Sequence, residues 1–171
     1  MQRFGVLAIW AALILVSPIF PSLATGQAAP DTQAAKDAAL LVGTWKLVSS
    51  VRVDDETKEE VTPFGDHPIG YLILLPSGRM MAIITAEGRK AAQTDSERAN
   101  ALDSMIAYTG KYQVEGNTFI VDAASYQPWV GSQQRRTFKL EGDRLLIVSM
   151  SQPSITNGKM GHGVLVWERE K

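Results

Sequence analysis

The chain has 171 residues, 45% of them hydrophobic and 20% charged, with a formal net charge of −1 and no cysteine. That composition fits a folded core rather than a disordered chain, and the lack of a basic excess argues against a nucleic-acid partner. Without cysteine there are no disulfides, thiolate metal sites or cysteine nucleophiles, so a domain of roughly 130 residues must hold together by packing alone.

Met1, Gln2 and Arg3 give a short positive start, followed by an almost purely apolar run over 4–16 that Pro18 and Pro21 break. Ser22-Leu23-Ala24 places small residues where a signal peptidase reads. The pattern predicts a signal peptide over 1–24, and with it a periplasmic or secreted protein. The run is short for a bilayer span and no basic stop-transfer cluster follows, so no stable membrane anchor is expected after cleavage. Residues 25–39, rich in Ala, Gln, Asp and Pro, read as a flexible spacer with a helical turn before a domain over 40–171.

From Leu41 the chain becomes short apolar stretches punctuated by turns. Over 44–53, Trp45, Leu47, Ser49, Val51 and Val53 share one face of a half-buried strand, with Lys46, Ser50, Arg52 and Asp54 on the other. The charged stretch 55–60 reads as a solvated hairpin tip. Strands over 70–75 and 80–85 flank Pro76-Ser77-Gly78, a tight hairpin signal. Both faces of that hairpin are apolar. A helix between Thr94 and Tyr108, capped at Thr94 or Asp95 and ended by Gly110, would place Ala99, Leu102, Met105 and Ile106 on one stripe and cover one of them. Strands at 111–115 and 118–126 flank Gly116-Asn117, and strands at 135–141 and 144–150 flank Gly142-Asp143. Both turns use residues suited to two-residue loops. A last strand spans 163–169. The sum is eight strands, the number at which an antiparallel up-and-down barrel closes around side chains or one small ligand.

The segment Leu41-Val42-Gly43-Thr44-Trp45-Lys46-Leu47-Val48-Ser49 resembles the opening of lipocalin-like proteins, in which Gly-x-Trp begins the first strand and the indole plugs the barrel floor. Three further blocks are similar to the bacterial lipocalin-like domain family. They are Pro68-Ile69-Gly70-Tyr71-Leu72-Ile73 running into Pro76-Ser77-Gly78-Arg79-Met80, Ile106-Ala107-Tyr108-Thr109-Gly110-Lys111-Tyr112, and Trp129-Val130-Gly131 leading to Arg136, Phe138, Leu140 and Gly142-Asp143-Arg144-Leu145. The resemblance implies a calycin-type, eight-stranded lipocalin-like barrel with one helical insertion, and by analogy of fold the binding of a small apolar molecule. It also implies an arginine from a late strand packed across the first-strand tryptophan, for which Arg169 is the candidate.

Among the residues that carry chemistry, Arg136 shares strand parity with Phe138 and Leu140 and so faces inward with them. A guanidinium inside a barrel needs a partner. Either it holds a ligand carboxylate or enolate oxygen, or it pairs with an internal acid such as Asp122, or it lies at a wet barrel mouth. Tyr71, Tyr108, Tyr112 and Tyr126, with Trp129 behind Pro128, form an aromatic set suited equally to a ligand pocket and to a packed core. His67 and His162 fall in loops at strand ends. They read as an acid–base pair at the mouth or as exposed residues without a role, and they lack metal-ligand spacing.

The reading that follows is an exported barrel binding a small hydrophobic or amphipathic molecule, with Tyr71, Tyr108, Tyr126, Trp129 and Arg136 as pocket residues and no metal or cofactor. Two alternatives stay open. One is a barrel enzyme of cyclase, isomerase or dehydratase type using Arg136, Tyr71, Tyr108 and His67. The other is an interaction protein whose barrel is filled by its own side chains.

Overall fold

The computed structural model describes residues 32–114, 118–155 and 157–171. The expected signal peptide over 1–24, residues 25–31 of the expected spacer and the expected Gly116-Asn117 turn lie outside these. The stretch before the barrel is helical as α1 (Thr32–Leu41). The strands follow as β1 (Gly43–Asp54), β2 (Glu60–Val61), β3 (Ile69–Leu74) and β4 (Arg79–Thr85), then helix α2 (Asp95–Asp103). Next come β5 (Met105–Gln113), β6 (Thr118–Ala124), β7 (Gln133–Glu141), β8 (Arg144–Ser149), β9 (Gln152–Pro153) and β10 (Met160–Arg169). The eight longer strands pair antiparallel in the order β1-β3-β4-β5-β6-β7-β8-β10, and β10 returns to β1 to close the barrel. The two short strands are additions at the rim: β2 on the end of β1 and β9 on the start of β10.

Closure follows from strand alternation. Leu72 and Leu74 on β3, Met80, Ala82 and Ile84 on β4, and Leu145 and Ile147 on β8 are all buried, at every second residue. They meet one another inside. Trp45 has no exposed surface and lies at the floor, where its Nε1–H donates to Leu41 O at 2.9 Å. Arg169 at the end of β10 lies over the same indole, 4.1 Å from the ring centre. Its guanidinium donates to Val42 O at 3.0 Å and to Leu40 O at 2.5 Å. The Trp45–Arg169 pair implied by the resemblance is therefore present, and it also fastens α1 across the floor.

Three sequence expectations change. The helix after β4 ends at Asp103 rather than near Tyr108, and none of its residues is buried. Met105 and Ile106 begin β5 and pair with Thr85 and Ile84 of β4. The apolar stripe was thus a composite of helix and strand, and among the described residues no helix lies over the outer face of the β3–β4 hairpin. Thr94 does cap α2, in a full capping box with Glu97. Gly110 is not a helix stop. It lies in β5, where a side-chain carbon would meet Ile120 O at 1.9 Å beside the bulge with β6.

The second change is in β1. A bulge between Leu47 and Ser49 adds one residue against β10. One extra residue exchanges the two faces beyond it. Trp45 and Leu47 point inward as expected, but above them the inward set is Ser50 and Arg52, opposite Leu165 and Gly163. The third change concerns His162, which lies within β10 rather than in a loop.

Two gaps in the ladder create interior space. β3 pairs with β1 only over Gly43–Lys46, so the upper half of β1 faces β2 and the loop carrying Phe64. β6 and β7 pair only over Thr118–Ile120. Above that the two strands part, and a 3-10 turn, Gln127–Trp129, fits between them with Pro128 in its first positions. Gly131 N bonds Val121 O at 2.8 Å and Val121 N bonds Ser132 O at 3.1 Å, which tie the turn to β6. Among the described residues no helix is long and apolar enough to cross a membrane.

Candidate ligand-binding cavity

The space left by these gaps is a cavity of about 230 Å³ in the upper half of the barrel. Ile84 and Ile106 from β4 and β5, Leu165 from β10 and Phe64 from the β2–β3 loop give it apolar walls. Tyr108, Trp129 and Arg136 form one side, and Ser50 and Ser149 add two hydroxyls. The mouth is bounded by Arg52, Asp54 and the β9–β10 hairpin, including Ile155 and Lys159. A second, smaller void of about 20 Å³ lies toward the floor among Leu41, Leu74, Phe138 and Leu145. Arg136 borders both.

Trp129 organises the polar side. Its ring meets Tyr108 edge-on, with centroids 5.3 Å apart and planes at 86°, and Tyr126 from behind at 6.1 Å and 89°. These T-shaped contacts are the favoured aromatic geometry. The Arg136 guanidinium lies 5.9 Å from the Trp129 ring centre. Arg136 Nη1 donates to Arg135 O at 2.8 Å and Nη2 donates to Gln134 Oε1 at 3.2 Å. Gln134 is fixed in turn, its Nε2 donating to Ser132 Oγ at 2.7 Å. Burial pushes the Tyr108 phenol above its ordinary 10.0, with Arg136 pulling it back. Burial likewise pushes the Arg136 guanidinium below its ordinary value, while Tyr108 opposes this. The two side chains thus face each other inside the barrel.

Of the five residues expected to line a pocket, Tyr108, Trp129 and Arg136 converge on the cavity. Tyr126 stands one layer behind, against Trp129. Tyr71 pairs with Lys46 and Ile83 between the inward residues Gly70 and Leu72, so strand alternation places it on the outer face. Tyr112 donates its hydroxyl to Leu75 O at 2.9 Å, near the floor. The pairing of Arg136 with Asp122 does not occur: Asp122 is bound by Arg79, both partly exposed. Neither histidine borders the cavity. His162 Nδ1 is 2.7 Å from Asp55 Oδ1, and His67 offers its backbone N–H to Glu87 Oε2 at 2.9 Å.

Sequence reasoning missed Ser50 and Arg52 because nothing in 44–53 marks the bulge. It missed Ser149, which accepts from Gly163 N at 2.8 Å, because a lone serine at a strand end carries no signal. Arg52 is a structural part of the mouth, its Nη2 donating to Gln152 O at 2.7 Å and Lys159 O at 2.8 Å across the β9–β10 hairpin.

The family model described as a lipocalin-like domain matches residues 42–170. The chain belongs to the lipocalin-like domain family. The match takes in every strand from β1 through β10, and α1 precedes it. A curated relative is the 4'-hydroxy-3'-methoxypropiophenone carrier protein of Aspergillus oryzae, 30% identical over 86 residues, covering 44% of this chain and 77% of the relative.

Proposed function

We propose that this lipocalin-like protein is a carrier for a small, amphipathic, single-ring aromatic molecule held in the upper barrel. The observation that carries the reading is the cavity itself: about 230 Å³ of space walled by aliphatic side chains, with Trp129 and Tyr108 on one side. A dry cavity of about 150 Å³ admits benzene, so this one suits a single ring with a few substituents and is too small for a long lipid. Apolar walls supply affinity and a few polar groups fix orientation, the usual division of labour in such pockets. The name of the Aspergillus relative supports the same size and class, a phenyl ketone bearing hydroxyl and methoxy groups.

Titration with 4'-hydroxy-3'-methoxypropiophenone and with an environment-sensitive apolar fluorophore tests the reading. Trp129 serves as an intrinsic reporter. Saturable one-to-one binding of both, each displacing the other, is expected. A protein that takes up neither has no ligand cavity in solution. The leader-like pattern of residues 1–24 adds the proposal that the carrier works outside the cytoplasm. N-terminal sequencing of the protein from its own host tests that, and an intact Met1 in the accumulated protein would refute it.

A further inference from the structure

The charge of the ligand follows from the partners of Arg136, an argument that rests on the carrier reading above. Arg136 is 7% exposed. Its hydrogen-bond partners are a backbone carbonyl and the Gln134 amide, with the Tyr108 hydroxyl beside them, all neutral. Among the described residues no carboxylate pairs with it. Three acids border the cavity, Asp54, Glu59 and Asp103, and none of them forms an ion pair with Arg136. Asp54 accepts from the backbone N–H groups of Glu56 and Thr57 and faces Lys159 at 4.0 Å. A buried cation without a counter-charge is costly, and such groups are retained where they serve an anion.

We infer that the cavity takes a single-ring aromatic carboxylate, its carboxylate forked on Arg136 and its ring against Trp129. A guanidinium has five N–H donors in a planar fork that matches a carboxylate in bidentate fashion, and the described partners leave donors over. Tyr108 keeps its proton, since burial raises its pKa, and so remains a donor beside the same group. A carboxylic acid arrives fully ionised at neutral pH, whereas a phenol, even one acidified by a para carbonyl, arrives mostly neutral and supplies less of the missing charge. Around the cavity as a whole, Asp54, Glu59 and Asp103 are matched in number by Arg52, Lys159 and Arg136, and of these six Arg136 is the one that is buried.

The test is calorimetric titration of 4-hydroxy-3-methoxybenzoate and its uncharged amide into the wild-type protein, Arg136→Gln and Arg136→Met at neutral pH. The quantity read is the ratio of acid to amide affinity, from which any general loosening of the cavity cancels. The wild type should prefer the acid by about tenfold or more, and the ratio should fall to about one in both variants. Acid affinity itself should drop about 30-fold or more, as for other buried charge pairs that lose one partner. Equal wild-type affinities, or a preference that survives Arg136→Gln, would overturn the inference while leaving a neutral-ligand carrier standing. If neither compound binds but the apolar fluorophore does, the carboxylate class is wrong and the cavity reading holds. If none of the three binds, both fall.

Discussion

Consider Arg136→Met in the ligand-free protein. The guanidinium is almost wholly buried, and the effective penalty for burying such an ion is several kcal/mol even after relaxation. Against this stand its two hydrogen bonds, the Tyr108 contact and the Trp129 ring at 5.9 Å. Charged hydrogen bonds return about 1.5–3 kcal/mol each at best, and the cation–π contact about 0.5–2 kcal/mol. Methionine is unbranched and fills the same path with no charge. The abandoned acceptors are not stranded. Arg135 O also faces Met150 N at 3.4 Å, and Gln134 keeps its bond to Ser132. These returns and the penalty come close to cancelling, so the net expectation lies between no change and a gain of about 1 kcal/mol, the near-neutral end of what replacing buried ionic groups by apolar ones yields. In a domain of this size that is a Tm between the wild-type value and about 4 °C above it. Urea and thermal melts without ligand measure it. Repeating them with a carboxylate ligand should stabilise the wild type by about 2.7 kcal/mol at a hundredfold excess over its Kd, and the variant by less than about 1 kcal/mol at the same concentration. A ligand-free variant that loses more than about 1 kcal/mol would refute the reasoning. It would make Arg136 a structural cross-link that the barrel needs.

Gly110→Ala forces a side-chain carbon onto Ile120 O and Val121 Cα, and backbone atoms cannot yield as a side chain does. A loss of about 3 kcal/mol or more is expected in urea melts, and a loss under about 1 kcal/mol would mean the β5–β6 bulge relaxes easily. Trp167 Nε1 is buried without a partner among the described residues, whereas Trp45 Nε1 bonds Leu41 O and its face carries Arg169. Trp167→Phe should therefore stay within about 1 kcal/mol of wild type, since an unsatisfied donor leaves with the lost volume, while Trp45→Phe should cost about 2 kcal/mol more. Equal costs would sink that distinction. Asp55 is held below its ordinary 3.8, first by the Ser151 hydroxyl and then by His162. A depressed carboxyl stabilises fully above its unfolded pKa and loses that contribution as pH falls through the folded value. The urea midpoint of Asp55→Asn should lie below wild type near about pH 7, and the gap should close toward about pH 3. A gap that persists in acid would show that the carboxylate's charge is not what Asp55 contributes.

The barrel was legible because two-residue periodicity and turn chemistry agree in most strands. The inward direction of Arg136 could be read from Phe138 and Leu140 because β7 is regular along its length. The same reasoning failed on β1, where a single bulged residue reverses every side chain above Leu47 and no residue type announces it. It also failed on Leu102, Met105 and Ile106. Helical spacing over a few positions cannot separate a helix from a helix that stops and a strand that starts, and here the break falls at Ser104. The partners of Arg136 were beyond reach altogether. Whether Asp122 meets it depends on the bulge opposite Gly110, a property of two strands and not of either sequence segment. Tyr71 shows the converse limit: its resemblance block was sound for fold, yet parity alone, read from Gly70 and Leu72, puts it outside.

The barrel contains two arginine–tryptophan pairs, and comparing them separates scaffold from site. At the floor, Arg169 lies 4.1 Å from the Trp45 ring centre, donates to the carbonyls at the C-terminal end of α1 and has Asp143 at 3.8 Å. A cation there meets a helix C-terminus, where negative potential favours it, and a carboxylate beyond. Its charge is answered by the protein, so ligand is irrelevant to it. In the upper barrel, Arg136 lies farther from Trp129, at 5.9 Å, and meets only neutral acceptors. It also borders the 230 Å³ cavity, which Arg169 does not. The same two residue types therefore do different work. One closes the barrel's end; the other, without a counter-charge among the described residues, borders the cavity in which we propose that a ligand carboxylate meets it. Removing Arg169 should cost stability whether or not ligand is present, while removing Arg136 should cost binding and leave the empty fold at least as stable.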